Sequence, residues 1–125
     1  MKHSLDSFLP LSAAELHILL ALAPEDLHGY GIMQEVSRQS QGHYKLGPGT
    51  LYDNLKKLMN HRLVEESART ASASTSAATG DRDSRRRYYR LSNIGRQVLA
   101  SEVTRLEQVL REARTHLRAL KPRRA

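Results

Sequence analysis

The stretch GPGTLYDNLKKLMNHRLVEE, residues 47–66, reads as a short basic helix that passes directly into a strand. Leu51, Leu55 and Leu58 recur at i, i+4 and i+7, which puts them on one helical face. At about 100° per residue, Asp53, Lys56, Lys57 and Asn60 collect on the opposite face, with Tyr52 on its border. Pro48 suits a first helical turn, where its missing N–H would have had no intrahelical partner. The pattern predicts a helix from Pro48 to His61 and a strand over Leu63-Val64-Glu65-Glu66. Any amphipathic surface helix would show the same spacing, so its surroundings decide the reading.

Downstream, Arg87 to Leu91 reads as the partner strand, because Tyr89 and Leu91 alternate with Tyr88 and Arg90. Between the strands lies ARTASASTSAATGDRDS, small and polar with no periodicity. It buries too little to offset the entropy of ordering, so residues 68–85 are expected to form a long, disordered hairpin tip. Upstream, Ser12 and Glu15 make a Ser-x-x-Glu capping box, and Leu11 and Leu16 occupy the positions of a hydrophobic staple. They start a nearly all-apolar helix from Ala13 to Ala23, broken at Pro24, which is expected to be the central core helix. A second helix spans Gly29 to Ser40 with Ile32, Met33 and Val36 inward. Three helices followed by a two-stranded hairpin is the order of a winged helix-turn-helix. The fold class is therefore mainly α with a small antiparallel β-hairpin (α+β), occupying residues 1–91.

Residues 92–125 read as one long helix, capped by Ser92 and running to about Leu120 before Pro122. Leu99, Val103, Leu106, Leu110, Ala113, Leu117 and Leu120 are spaced 4, 3, 4, 3, 4, 3. That is an unbroken heptad seam. A helix of roughly 29 residues is about 43 Å long, more than a small domain's core covers. The seam points to a dimerisation helix, with folding back onto its own domain as the alternative.

The chain has 125 residues, one domain's worth, and a net charge of +7. Residues 1–44 are net −3, while residues 45–90 and 91–125 are each net +5. Such asymmetry favours a polyanion bound by one region. The absence of cysteine excludes disulfides, thiolate catalysis and Cys-ligated zinc. The most apolar run, Leu16 to Ala23, is too short to span a membrane, and MKHSLDSFLP lacks a secretory core, so a cytoplasmic protein with no membrane partner is expected. No enzyme signature is present, the six histidines are scattered without i, i+4 spacing, and neither a cofactor nor a metal is implied.

Nucleic-acid chemistry has support. Thr50, Tyr52, Asp53, Lys56, Lys57 and Asn60 can offer hydroxyls, a phenol and ammonium groups to phosphates and base edges. Asp53 has Lys57 at i+4 as an ordinary partner. Arg82, Arg85, Arg86 and Arg87 at the base of the hairpin form a second basic cluster suited to backbone contact or a narrow minor groove.

With these elements placed, the chain resembles the PadR-like family of bacterial transcriptional regulators. The resemblance rests on His28-Gly29-Tyr30-Gly31-Ile32, on Pro-Gly-Thr-Leu-Tyr-x-x-Leu-x-x-Leu at 48–58, on Leu63-Val64-Glu65, and on Arg87-Tyr88-Tyr89-Arg90-Leu91-Ser92-x-x-Gly95. It covers nearly the whole length. It implies a homodimer, paired through the C-terminal helix, that represses promoters by binding an inverted repeat in double-stranded DNA. Tyr30, within the first run, joins the DNA-binding residues. One helix after Leu91 is similar to the short type of the family. Members often respond to small aromatic or hydrophobic compounds, and by analogy Phe8, Leu9, Val98 and Glu102 would line an effector cavity in the dimer. Two departures stand out: Gly47 replaces a serine cap, and Arg62 replaces a glycine at the helix C-terminus. A left-handed arginine there costs about 1 kcal/mol, partly offset by its charge at the helix dipole. The competing class is a protein-interaction module whose C-terminal helix recruits another partner without specific DNA binding, and a nonspecific nucleoid-type binder is a third.

Overall fold

The capping box at Ser12 begins the fold. Ser12 Oγ accepts from the Glu15 amide at 3.1 Å, and Glu15 Oε1 accepts from the Ser12 amide at 2.8 Å. The computed structural model describes residues 5, 7–67 and 87–119. Its elements in chain order are α1 (Ala13–Leu22), β1 (Leu27–His28), α2 (Gly29–Gln39), α3 (Pro48–Asn60), β2 (Val64–Glu66), β3 (Tyr88–Leu91) and α4 (Asn93–Ala119). The expected hairpin tip and Leu120 lie outside the described residues.

Being apolar on nearly every side, α1 sits in the middle, against α2, α3, α4 and β3. Ile18, Leu19, Ala21 and Leu22 are at most 1% exposed. Leu51, Leu55 and Leu58 of α3 close the core with Ile32 and Val36 of α2. Each such side chain contributes about 1.5–3 kcal/mol before entropy costs.

Both α2 and α3 end in the same way. At α3, the Leu63 amide donates to the Leu58 carbonyl and the Arg62 amide to the Met59 carbonyl, each at 2.9 Å. This is a Schellman motif, and Arg62 holds its left-handed position with φ 64°. At α2, the Gly42 amide reaches the Ser37 carbonyl at 2.7 Å and the Gln41 amide the Arg38 carbonyl at 3.0 Å. There the left-handed residue where glycine is preferred is Gln41, φ 54°, with Gly42 one residue later.

The sheet has three strands rather than the expected two, in the order β1-β3-β2 and antiparallel throughout. Val64 faces Leu91 and Glu66 faces Tyr89, while Leu27 and His28 pair with Tyr89 and Tyr88 from the other side. The alternation expected in β3 is present: Tyr89 and Leu91 are buried and Arg90 is exposed.

Ser92 caps α4 by accepting the Gly95 amide at 2.9 Å. The same hydroxyl donates to the carbonyls of Arg62 and Leu63, at 2.7 and 3.1 Å. The first turn of α4 is thereby fixed to the exit of α3. Packing continues past Leu91, because Gly95, Val98, Leu99 and Glu102 are all buried. Leu99, expected to open the intermolecular seam, belongs to the protomer's own core at 7% exposure. Beyond it α4 leaves the domain, and every described residue from Glu107 to Ala119 is exposed.

Candidate nucleic-acid interface

Burial of Leu51, Leu55 and Leu58 fixes the roll of α3 and turns Thr50, Tyr52, Asp53, Lys56, Lys57 and Asn60 outward, all exposed. The helix starts without a side-chain cap at Gly47 and with Pro48 in its first turn. Asn54, between the two faces, donates to the Thr50 carbonyl at 2.8 Å.

One flank of α3 meets the start of α2. A Cβ at Gly29 would lie 2.1 Å from the Tyr52 hydroxyl, so only glycine lets that phenol approach. His28 caps α2, its Nδ1 accepting the Gly31 amide at 2.9 Å, and its ring lies 5.3 Å from Tyr88 and 6.5 Å from Tyr30. Tyr30 projects from the first turn of α2 and is 64% exposed. Tyr89 lies beneath; burial pushes its phenol above the ordinary range, Tyr52 and Glu66 add to that, and Arg87 opposes it. A single surface thus joins Tyr30, Tyr52 and the outer face of α3.

The other flank meets α1. Lys57 Nζ lies 3.7 Å from Glu15 Oε2, so its partner is Glu15 and not Asp53 one turn before it. Asp53 has no ion pair among the described residues and points outward. Nothing in the local spacing reveals Glu15 as a neighbour of Lys57, because the contact crosses between two helices.

In the wing, Arg87 pairs with Glu66 at 3.1 Å and Arg90 with Glu65 at 3.0 Å, both exposed. Exposed pairs are worth roughly 0–1 kcal/mol, so phosphate can displace them. Arg82, Arg85 and Arg86 lie outside the described residues.

Along α4, Val103, Leu110 and Leu117 are 39%, 49% and 68% exposed, Ala113 is exposed and Leu106 is half-buried. Val109, outside the heptad seam as read, widens the stripe at 49% exposure. Of the four expected effector residues, Phe8 and Leu9 are half-buried, with the Phe8 ring 5.3 Å from His61. Val98 and Glu102 are closed within the protomer at 0% and 1% exposure. The Glu102 carboxylate accepts from the Leu11 amide at 3.1 Å and from Arg105 at 2.7 and 3.0 Å. Those Arg105 bonds hold it below the ordinary glutamate range, helped by Leu11 and opposed by burial. Leu9 does border a shallow groove with Ser101, Thr104 and Arg105. Among the described residues no group of three His, Asp or Glu is placed to hold a metal, and no helix is long and apolar enough to cross a membrane.

A three-helix unit with a polar, outward-facing third helix, an antiparallel β2–β3 pair after it and a projecting final helix defines a winged helix-turn-helix protein. Residues 18–101 match the transcriptional regulator PadR-like family. The transcriptional regulator Rv3488 of Mycobacterium tuberculosis is 33% identical over 101 residues, 81% of this chain and 82% of that protein. Among solved structures, a PadR family transcription regulator from Clostridium difficile R20291 superposes with TM-score 0.65 at 20% identity, over 85% of this chain and 99% of that one. A PadR-like transcriptional regulator from Bacillus cereus gives 0.66 at 18%, over 94% and 99%. RosR of H. salinarum gives 0.59 at 25%, over 90% and 99%. This chain belongs to the PadR-like family of transcriptional regulators, and it is not an enzyme.

Proposed function

We propose that the protein is a homodimeric, sequence-specific DNA-binding repressor that reads an inverted repeat. The observation that carries this reading is the division of α3: three leucines locked in the core, and Tyr52, Asp53, Lys56 and Asn60 presented to solvent beside Tyr30. Ammonium and phenol groups supply phosphate contacts, while Lys56, Asp53 and Asn60 have the donors and acceptors to read base edges in a major groove. The exposed stripe on α4 supplies the second half of the argument, since an apolar seam projecting into water is covered when a second copy pairs with it. Residues through Leu91 would read DNA and the helix after it would pair protomers. Half-sites would then lie about one helical turn, 34–36 Å, apart. Arg87, with Arg82, Arg85 and Arg86, would add backbone or minor-groove contacts from the wing. Relief of repression by a small hydrophobic compound belongs to the same reading, with the groove at Leu9, Ser101, Thr104 and Arg105 as its place on the protomer.

Lys56→Ala with Lys57→Ala tests the assignment of the face. Polarisation titration should show loss of duplex binding, while sedimentation still finds the oligomer of the unaltered chain. If some six phosphates are neutralised per dimer, log affinity should fall against log salt with a slope of about −5 in the unaltered protein. Affinity that ignores salt, or a monomer without duplex affinity, would instead favour a protein-interaction module.

A further inference from the structure

Lys56 and Lys57 are neighbours in sequence, but they do not present the same cation to DNA. Lys56 is exposed and has no ion pair among the described residues. Lys57 faces Glu15, whose side chain is only 15% exposed. That carboxylate is not free to turn away. One oxygen is fixed by the Ser12 amide at 2.8 Å in the capping box, which leaves the other directed at Lys57 Nζ 3.7 Å away. The residue before the cap is fixed as well, because the Leu11 amide donates to Glu102 on α4, itself clamped by Arg105. The N-terminus of α1 is thus pinned from α4 and holds a negative charge against the flank of the reading helix.

A capping box does not need that charge, since glutamine at the same position closes it equally well. A carboxylate at the start of a helix also favours the helix dipole, an effect that acts on stability and leaves DNA affinity alone. What the charge adds at the flank of α3, and glutamine would not, is neutralisation of Lys57. Resting on the reading of α3 as the DNA-facing helix, we propose that Glu15 is an internal competitor for DNA phosphate: its carboxylate holds Lys57 in the free protein, and a phosphate must displace it. Lys56 is the unconditional cation of the face and Lys57 the conditional one. Affinity is thereby set below what the lysine pair could give, by a residue that touches no DNA.

The test is a polarisation titration on one duplex with the unaltered chain, Glu15→Gln, Lys57→Met and the double variant, each with its melting curve. Glu15→Gln keeps the cap and should tighten binding by roughly two- to fivefold per protomer, the range of an exposed ion pair. The gain should vanish in the Lys57→Met background, as a double-mutant cycle requires of a pairwise effect. Unchanged or weaker binding by a folded Glu15→Gln protein overturns the proposal. So does an equal gain with and without Lys57, which would reduce the effect to net charge. Should Glu15→Gln fail to fold, Lys57→Met, which leaves α1 untouched, is compared with Lys56→Met. The proposal requires the Lys57 loss to be the smaller, and an equal or larger loss overturns it. An unaltered protein with no affinity for duplex would fail the functional reading itself, a different result from all of these.

Discussion

Gly95→Ala should be among the most damaging single-methyl additions in the molecule. A Cβ at that position would stand 2.1 Å from the Leu63 carbonyl oxygen, 3.0 Å from its carbon and 3.1 Å from Leu91 Cδ1. The oxygen belongs to backbone, so relief requires α4 and the α3–β2 junction to part by roughly 1 Å, the overpacking situation that costs about 1–3 kcal/mol. Parting them strains the Ser92 clamp, whose amide and hydroxyl both reach the Leu63 carbonyl, at 3.0 and 3.1 Å, with the hydroxyl also 2.7 Å from that of Arg62. Each such bond is worth about 1 kcal/mol net. Alanine returns somewhat under 1 kcal/mol of helix propensity, which leaves a net loss of about 2–4 kcal/mol. For a chain of 125 residues that is a fall in melting midpoint of roughly 8–16 °C. The assay is circular-dichroism melting at fixed protein concentration, because the proposed pairing would make the midpoint concentration-dependent. Gly49→Ala is the control: nothing lies within 4 Å of a Cβ there, so the midpoint should hold or rise. A Gly95→Ala protein within 1 kcal/mol of the unaltered chain would refute the claim that close approach at Gly95 fixes α4 to the end of α3.

Arg62→Gly should stabilise by up to about 1 kcal/mol, seen as a higher denaturant midpoint at unchanged slope, because glycine takes φ 64° without the Cβ penalty; a lower midpoint would show that the arginine has an offsetting contact. Leu110→Glu with Leu117→Glu should yield a folded monomer in sedimentation velocity, since neither leucine packs within the protomer. Four leucines per pair at roughly 1–3 kcal/mol each imply at least a thousandfold weaker association, and a surviving dimer would place the interface elsewhere. Glu102 links stability to pH. Its folded-state value is lowered, so its contribution is fully present above the unfolded-state value and is lost as pH falls through the folded one. Glu102→Gln should therefore lose less stability than the unaltered chain between pH 7 and about pH 3.5, measured by denaturant unfolding at both. Parallel losses would count against that linkage.

Much of this was legible wherever the determining contacts are local. Ser12 with Glu15, and Leu51, Leu55 and Leu58, are short-range patterns, and the structure contains the helices they predict with ends within a residue or two. The alternation of Tyr88 to Leu91 likewise survives, because a strand's two faces are set by its own backbone. What was hidden depends on distance along the chain. β1 is two residues long, too short for any periodicity, and exists by pairing with Tyr88 and Tyr89 some sixty residues on. Gln41 stands where glycine was the signal to expect, and Gly42 marks the turn one residue late. Leu99 fits the heptad as well as Leu106 does, and only the three-dimensional path of α4 shows that the core claims it. Glu102 is an acid inside an apolar helix face; Arg105 three residues on is a legible partner, but the Leu11 amide, 91 residues away, is not. Lys57 was legible as a cation, but its counter-ion across the helix packing was not.

Selection from a pool of random-sequence duplexes by the purified protein, followed by footprinting of the winners, tests the central claim most directly. The account predicts enrichment of an inverted repeat whose half-sites are centred about 10 base pairs apart and protected in successive major grooves, with enrichment lost in the Lys56→Ala, Lys57→Ala protein. A pool that stays random through repeated rounds, or enrichment that persists without those two lysines, would contradict it.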